Sequence, residues 1–455
     1  PRALRFGFTG TPIQEENQRQ LNTTATIFGD ELHRYSIADG IRDKNVLGFD
    51  PYKVLTYRDR DLRVWVALEQ AKADDEVEAL SDPVKKTVFN RFMKDVRMAG
   101  HVDMDGTYAK GIEDYLPNAQ YERPEHREKV VEDILDTWIT LSQNGKFHAL
   151  FATSSIAEAI EYFRLLKGER PSLKIAALFD PNIDNEGGVK FKEDGLVEII
   201  QDYNARYGQD FTIPTYAKYK KDIAARLAHK EPYLRIERTP EKQIDLLIVV
   251  DQMLTGFDSK WLNTLYLDKL LRYEGVIQAF SRTNRLFGPD KPFGTIRYYR
   301  KPHTMEENIK KAVKLYSGDK PLALFVDRLD SNVRAMNSLY QDIAELYARA
   351  GVPDISKLPE DGAERGQFAR LFKDLNLHLA AAKIQGFAWS QPRYEFSDGP
   401  GRPKTVIDMR FEENDYLVLA LRYKELAGGG GSGGGAMPEV PYDIEGYLTE
   451  IDTDR

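Results

Sequence analysis

Leu246-Leu247-Ile248-Val249-Val250, running straight into Asp251-Gln252-Met253-Leu254-Thr255-Gly256-Phe257-Asp258, decides the fold. Five consecutive aliphatic residues have no polar face. The strand they form is therefore buried on both sides, as in a parallel sheet covered by helices. A polar, glycine-bearing loop directly after such a strand is where open α/β sheets present ligand loops, at the carboxyl ends of their strands.

The pattern continues outward from there. Downstream, residues 264–267 read as a strand, 276–285 as a helix and 295–299 as a last strand. Upstream, 147–152 and 174–179 read as strands. Helices are expected at 156–166, 195–207 and 219–228, with a polar loop at 181–188. Residues 129–301 thus carry a complete α/β sheet domain. Before it, 65–145 reads as mostly helical, with Val130, Val131, Ile134, Leu135, Trp138 and Ile139 in an amphipathic pattern and a loop at 100–117. Asp50-Pro51 reads as a turn and 52–57 as a strand. Residues 4–8 read as a short strand that stops in Thr9-Gly10-Thr11-Pro12. Beyond Pro302 the strands are expected to stop. Helical periodicity at 306–315, 322–350, 364–385 and 415–426 predicts an all-α domain over 302–427. Residues 428–436 form a Gly-rich linker, and 437–455 an acidic tail whose Tyr442, Ile444, Tyr447, Leu448 and Ile451 could dock.

Composition narrows the function. With 42% hydrophobic residues in 455, a large core is affordable, and bulk disorder is excluded. A net charge of −8 argues against coating nucleic acid with diffuse positive charge, though it leaves room for a local basic groove. The absence of cysteine excludes disulfides, thiolate catalysis and Cys-based metal sites. The seven histidines are scattered, so no metal site is expected. No apolar run approaches the ~18 residues of a membrane helix, and no signal peptide opens the chain. The expectation is a cytoplasmic protein with no membrane partner. The opening Pro-Arg-Ala-Leu-Arg, without Met, reads as a piece of something longer.

The 276–285 helix carries its own chemistry. Gln278 and Arg282 are four apart and Arg282 and Arg285 three apart, so a helix places them on one face, with Ile277 and Phe280 on the other. Two guanidiniums beside an amide suit a polyphosphate, because each offers a rigid fork of donors that never deprotonates. The plainer alternative is a solvated basic face.

Gln278-Ala279-Phe280-Ser281-Arg282-Thr283-Asn284-Arg285 resembles motif VI of superfamily 2 helicases and translocases. Thr255-Gly256-Phe257-Asp258 resembles their motif V, Phe151-Ala152-Thr153-Ser154-Ser155 their motif IV, and Thr9-Gly10-Thr11-Pro12 the motif III of one branch. More narrowly, 246–285 resembles the motor subunit, R, of type I restriction enzymes. The resemblance includes Leu262-Asn263-Thr264-Leu265-Tyr266-Leu267-Asp268-Lys269, and in the tail Pro441-Tyr442-Asp443-Ile444 and Tyr447-Leu448-Thr449-Glu450-Ile451-Asp452. It departs at Ser281, where many relatives have glycine.

This resemblance implies the end of a first RecA-like motor domain at 1–30, a second RecA-like helicase domain at 31–301, and the helical domain after it. Neither a G-x-x-x-x-G-K-[ST] phosphate loop nor an acidic Mg²⁺ box is found here, so half of an ATP site is expected, with Mg²⁺ held mainly by the missing half. The implied roles are Arg282 and Arg285 as arginine fingers on the ATP phosphates, with Gln278 ordering the phosphates or the attacking water. Gly256 and Asp258 would lie at the nucleotide, with Asp258 at the ribose. Thr9, Gly10 and Thr11 would couple hydrolysis to domain motion, and Ser154, Ser155 and Thr255 would touch the DNA backbone. The implied partners are double-stranded DNA and the methyltransferase (M) and specificity (S) subunits.

Several of these residues have a second reading. Ser154 or Ser155 fits the N-cap of the 156–166 helix, Asp258 a cap of the next turn, and Thr9 and Thr11 turn residues. Asp251 could pair with Lys269 or Arg272. Tyr340 and Tyr347 fit a core, and Lys218, Lys220 and Lys221 fit either a solvated face or a DNA contact. At the level of function, the alternatives are a non-catalytic subunit-docking module and the half-motor of another superfamily 2 helicase or remodeller. A Rossmann-type dehydrogenase fails for want of a G-x-G-x-x-G after any strand.

Overall fold

The computed structural model describes residues 7–18, 22–179, 189–288, 290–317, 325–397 and 404–428. The expected loop at 181–188, the tail, and all but the first residue of the linker lie outside these. So does most of the expected 4–8 strand, of which Gly7 and Phe8 are described and are not in a strand. The chain divides into two compact units, residues 1–286 with 293–325, and residues 287–292 with 326–455.

The first unit is built on six strands: β1 (Phe49–Lys53), β2 (His148–Thr153), β3 (Ile175–Leu178), β4 (Leu246–Val249), β5 (Leu262–Asp268) and β6 (Gly294–Tyr298). All pair in parallel, in the order β1-β6-β5-β2-β4-β3. Every residue of β2, β3, β4 and β5 is buried. Fully burying each large aliphatic contributes about 1.5–3 kcal/mol, so the four of β4 alone stabilise the sheet centre strongly. The α/β class expected from the aliphatic run is the one observed.

The first strand differs from expectation. Asp50 and Pro51 do not turn the chain but lie inside β1, an edge strand. Gly48 O accepts from Gly294 N, and Val54 N donates to Tyr298 O. Even-numbered positions therefore face β6, and Pro51 directs its missing donor outward, where an edge tolerates it. Next to it, Phe49 forms a bridge with Phe325. The opposite edge is also occupied. The Tyr219 hydroxyl donates to Ala177 O at 2.9 Å, and the Tyr216 hydroxyl meets both the N–H and the carbonyl of Phe179 at 3.2 and 2.6 Å.

Between β1 and β2 the chain forms helices including Asp59–Ala71, Pro83–Lys94 and Pro124–Ser142. Asp82 caps the second by accepting from Val84 N and Lys85 N, with Pro83 at the first helical position. Asp59–Ala71 and Pro83–Lys94 share a small core of Val66, Phe89 and Phe92 with Ile112 and Tyr121 from the segment that follows them. The expected loop at 100–117 holds a two-residue antiparallel pair, His101–Val102 with Tyr108–Ala109, and a short helix, Ile112–Tyr115. Glu113 in that helix is buried, and its carboxylate accepts from His303 N at 3.0 Å and Thr304 N at 2.7 Å. It thereby caps the helix Pro302–Tyr316, which belongs to this unit.

The second unit packs the helices Leu329–Arg349, Gly362–Ile384 and Glu413–Gly428 around Met336, Tyr347, Phe368, Phe372 and Leu419. Tyr347 is fully buried and Tyr340 stacks on Phe411, so both are core residues. The strands do not stop at Pro302. Arg393–Ser397 and Lys404–Asp408 pair antiparallel beside the helices. Arg393-Tyr394-Glu395-Phe396-Ser397 alternates polar and aromatic, a strand period that the helical trend of the region obscured.

Candidate functional site

The site is assembled at the carboxyl end of β4. The loop that follows is held by three buried side chains, Met253, Leu254 and Phe257, and exposes Thr255, Gly256 and Asp258. Gly256 has φ of +73°. A Cβ there would meet nothing within 4 Å, so this position needs glycine for its backbone angle and not for space.

The helix expected over 276–285 spans Glu274–Phe280. It stops early for a local reason. The hydroxyls of Ser281 and Thr283 donate to the carbonyls of Ile277 (2.6 Å) and Phe280 (2.9 Å), and Asn284 O accepts from Leu47 N. Arg285 is therefore not on a helical face with Gln278 and Arg282. The groups still converge. The Arg282 side chain donates from Nε to Gln278 O at 3.0 Å and from Nη1 to Phe257 O. Arg285 donates from Nε to Asp258 Oδ1 at 2.5 Å. Gln278 donates from Nε2 to Thr11 Oγ1 at 3.1 Å, and Thr11 N donates to Thr9 Oγ1 at 3.2 Å. Residues 267 apart in sequence thus meet at one point.

Arg282 is half-buried. Burial first, and then the neighbouring Arg285, lower its proton affinity, while Asp258 acts the other way. A guanidinium remains charged under such pressure. Its hydrogen-bond partners among the described residues are two main-chain carbonyls, so no carboxylate neutralises it at contact distance. The guanidinium lies against the loop at the Phe257 carbonyl.

The proposed DNA contacts fall elsewhere. Ser155 Oγ accepts from Glu158 N and caps the helix Ile156–Glu169. Ser154 Oγ donates to Asp268 O at 3.0 Å. Thr255 is exposed on the loop. Asp251 pairs with Lys269 at 2.5 Å, which settles its partner. Lys218, Lys220 and Lys221 are exposed on one helix.

A buried polar cluster under Ser154 was not foreseen. Asp268, fully buried at the end of β5, accepts from His126 Nε2 (3.0 Å), the Tyr162 hydroxyl (2.8 Å) and Arg300 (3.2 Å to each oxygen). Arg300 also donates to Glu158. Burial alone would raise the Asp268 pKa. His126 and Arg300 outweigh it and hold the carboxyl well below the usual range. Glu158 goes the other way, raised by burial despite Arg300. The signal available in sequence was an aspartate closing an apolar strand, next to Lys269.

Three family models match successive stretches of the chain: SWI2/SNF2 ATPase over residues 1–88, type I restriction enzyme subunit R domain 3 over 145–301, and the C terminus of type I restriction and modification enzyme subunit R over 324–455. The chain belongs to the type I restriction enzyme R subunit family. Among R-subunit relatives, the type I restriction enzyme SauCOLORF180P endonuclease subunit of Staphylococcus aureus is 33% identical over 324 residues, 69% of this chain and 29% of the relative. The SsaAORF53P endonuclease subunit of Staphylococcus saprophyticus is 32% identical over 384 residues, 82% of this chain and 35% of the relative. A putative MpnIIP endonuclease subunit N-terminal part from Mycoplasma pneumoniae is 49% identical over 69 residues, 15% of this chain and 18% of the relative. The chain thus spans about a third of the length of the two staphylococcal R subunits. Among the described residues no helix is long and apolar enough to cross a membrane, and no group of three His, Asp or Glu converges as a metal site.

Proposed function

We propose that Thr9–Thr11, Gly256–Asp258, Gln278, Arg282 and Arg285 are one half of an ATP site whose hydrolysis drives translocation along double-stranded DNA, as part of a type I restriction R subunit. The observation that carries this reading is Arg282, held over the Phe257 carbonyl by neutral partners beside Arg285. A planar cation fixed by its own backbone needs no reorganisation to meet charge developing on a transferred phosphoryl group. The β- and γ-phosphates would lie against Arg282 and Arg285. The phosphate loop and the Mg²⁺ carboxylates would come from a first motor domain. Gln278, bonded to Thr11, would report the state of the phosphates to the segment joining the two halves.

DNA contacts would be to backbone phosphates and without sequence preference, since Thr255 and the exposed lysines carry no base-reading geometry. Ser154 and Ser155 contribute to such a contact only by shaping the loop, because their hydroxyls are already engaged. The methyltransferase and specificity subunits would be the protein partners, and sequence choice would lie with the latter. The test is DNA-stimulated ATP hydrolysis by the full-length subunit and its Arg282→Ala variant. Turnover unchanged in the variant rejects the assignment.

A further inference from the structure

The segment leaving Thr9–Pro12 is tied to the Glu274–Phe280 helix at a second point, away from Gln278. Asn17 donates from Nδ2 to Glu274 Oε2 at 2.9 Å and to the Tyr316 hydroxyl at 3.0 Å. That hydroxyl donates onward to Pro12 O at 3.2 Å. On its other side, Asn17 Oδ1 accepts from Gln14 N at 2.7 Å. Glu274 is the first residue of the Glu274–Phe280 helix, and Tyr316, buried, is the last of Pro302–Tyr316. One amide therefore joins the segment after Thr11 to the start of one helix and the end of another.

The backbone next to Glu274 is unusual. Tyr273 has φ of 45° and ψ of −121°, a conformation that side-chain-bearing residues adopt only where their surroundings over-determine it. The bond from Asn17 holds the residue that follows. Gln278 lies one turn further on, about 6 Å along the axis at 1.5 Å per residue. A shift of Glu274 is passed through that rigid turn to Gln278, and from Gln278 O to Arg282.

We infer that Glu274 is a positioning residue which, through Asn17 and Tyr316, fixes Arg282 relative to Thr11 and makes hydrolysis depend on where the 9–17 segment sits. This rests on the ATP reading above. Glu274 and Asn17 act through Gln278 and Arg282 rather than on the phosphates themselves. The clasp sets the register in which the arginine meets it.

The experiment uses the full-length R subunit with ATP and linear duplex DNA. Asn17→Asp keeps the acceptor for Gln14 N, so the local turn survives, but it sets a carboxylate against Glu274. Adding Glu274→Gln restores a hydrogen bond with donor and acceptor exchanged. Asn17→Asp is expected to lower kcat for ATP hydrolysis about tenfold with KM for ATP within about twofold. The double variant should return to within about threefold of the parent. A purely structural role would instead lower the melting temperature of Asn17→Asp and leave kcat per folded subunit unchanged. Near-parental kcat in Asn17→Asp, or a loss that persists in the double variant, overturns the inference. If Asn17→Asp does not fold, Tyr316→Phe takes its place, since it keeps the ring and removes the hydroxyl between Asn17 and Pro12. A kcat loss of about threefold or more then supports the clasp, and parental kcat overturns it. Arg282→Lys is run alongside. Should it hydrolyse like the parent, the ATP reading has failed and the clasp with it. Should it lose activity while the Asn17 variant does not, the clasp alone is wrong.

Discussion

Replacing Arg300 with methionine tests the buried cluster at the end of β5 most directly. The change keeps an unbranched chain of similar reach and removes the cation between Asp268 and Glu158, both nearly inaccessible to solvent. Asp268 keeps its bonds from His126 and Tyr162, and Glu158 keeps the bond from Ser154 N at 3.1 Å. What disappears is the charge compensation. Removing one partner of a buried ion pair costs about 3–5 kcal/mol. At roughly 2–4 °C per kcal/mol for a unit of this size, the melting temperature should fall by about 6–20 °C. The sign with pH follows from Glu158. Its pKa is already raised by burial, and Arg300 is the main influence lowering it. Without the arginine it binds a proton more readily when folded than unfolded. The deficit should therefore shrink as pH falls from 8 to 5.5. Asp268 has a depressed folded pKa, so its stabilisation is present above its unfolded value and is lost only as pH falls through the folded one. Arg300 is among the groups that lower Asp268, so its loss raises that carboxyl too and acts in the same direction as Glu158. Thermal unfolding followed by far-UV circular dichroism at both pH values decides the matter. A melting temperature within about 2 °C of the parent at pH 8, or a deficit that does not change with pH, refutes the reasoning.

Arg282→Lys in the full-length subunit should leave ATP binding nearly unchanged and lower hydrolysis at least ~10²-fold, because a point charge replaces the planar fork in the transition state; steady-state ATPase and equilibrium nucleotide titration together check this. Asp258→Asn should shift the melting temperature by no more than about 4 °C, since its partner Arg285 is exposed and such pairs contribute under ~1 kcal/mol. His148, buried against His229 Nε2 at 2.9 Å and Ile244 O at 2.6 Å, has its pKa lowered to about 3, by burial first and His229 second. The unfolded chain takes up that proton below about pH 6.5 and the folded chain does not, so stability falls by roughly 2 kcal/mol from pH 7 to pH 5 through this group. His148→Met should flatten that part of the melting-temperature profile, and parent and variant curves of equal slope would count against it.

The parts legible in the sequence are those set by local pattern. The aliphatic run at 246–250 announced a doubly covered strand, and the loop after it was placed correctly at the carboxyl edge. Arg282 and Arg285 do reach that loop, yet the helix expected to align them with Gln278 ends at Phe280. The side-chain hydroxyls of Ser281 and Thr283 compete for its last carbonyls, and spacing alone cannot show this. Asp50-Pro51 read as a turn because proline usually interrupts strands, and only the sheet order shows that these residues lie on an edge. The Asp268 cluster gathers residues from positions 126, 158, 162, 268 and 300. No periodicity links them, and they are brought together by the parallel register of β2, β5 and β6. No periodicity links Asn17, Glu274 and Tyr316 either, which sit on three separate helical elements.

The two outer strands have a consequence for assembly. A free sheet edge is a template on which a foreign strand, or a second copy of the same one, can be zipped by main-chain hydrogen bonds. On β1 the donor is missing at Pro51, and the place beside it is already taken by Phe325. On the far side, tyrosine hydroxyls satisfy the carbonyls that a newcomer would need. Among the described residues the sheet therefore has six strands, with both outer strands engaged at these points. A partner approaching either edge would then meet loops or helix surfaces before it met a bare strand.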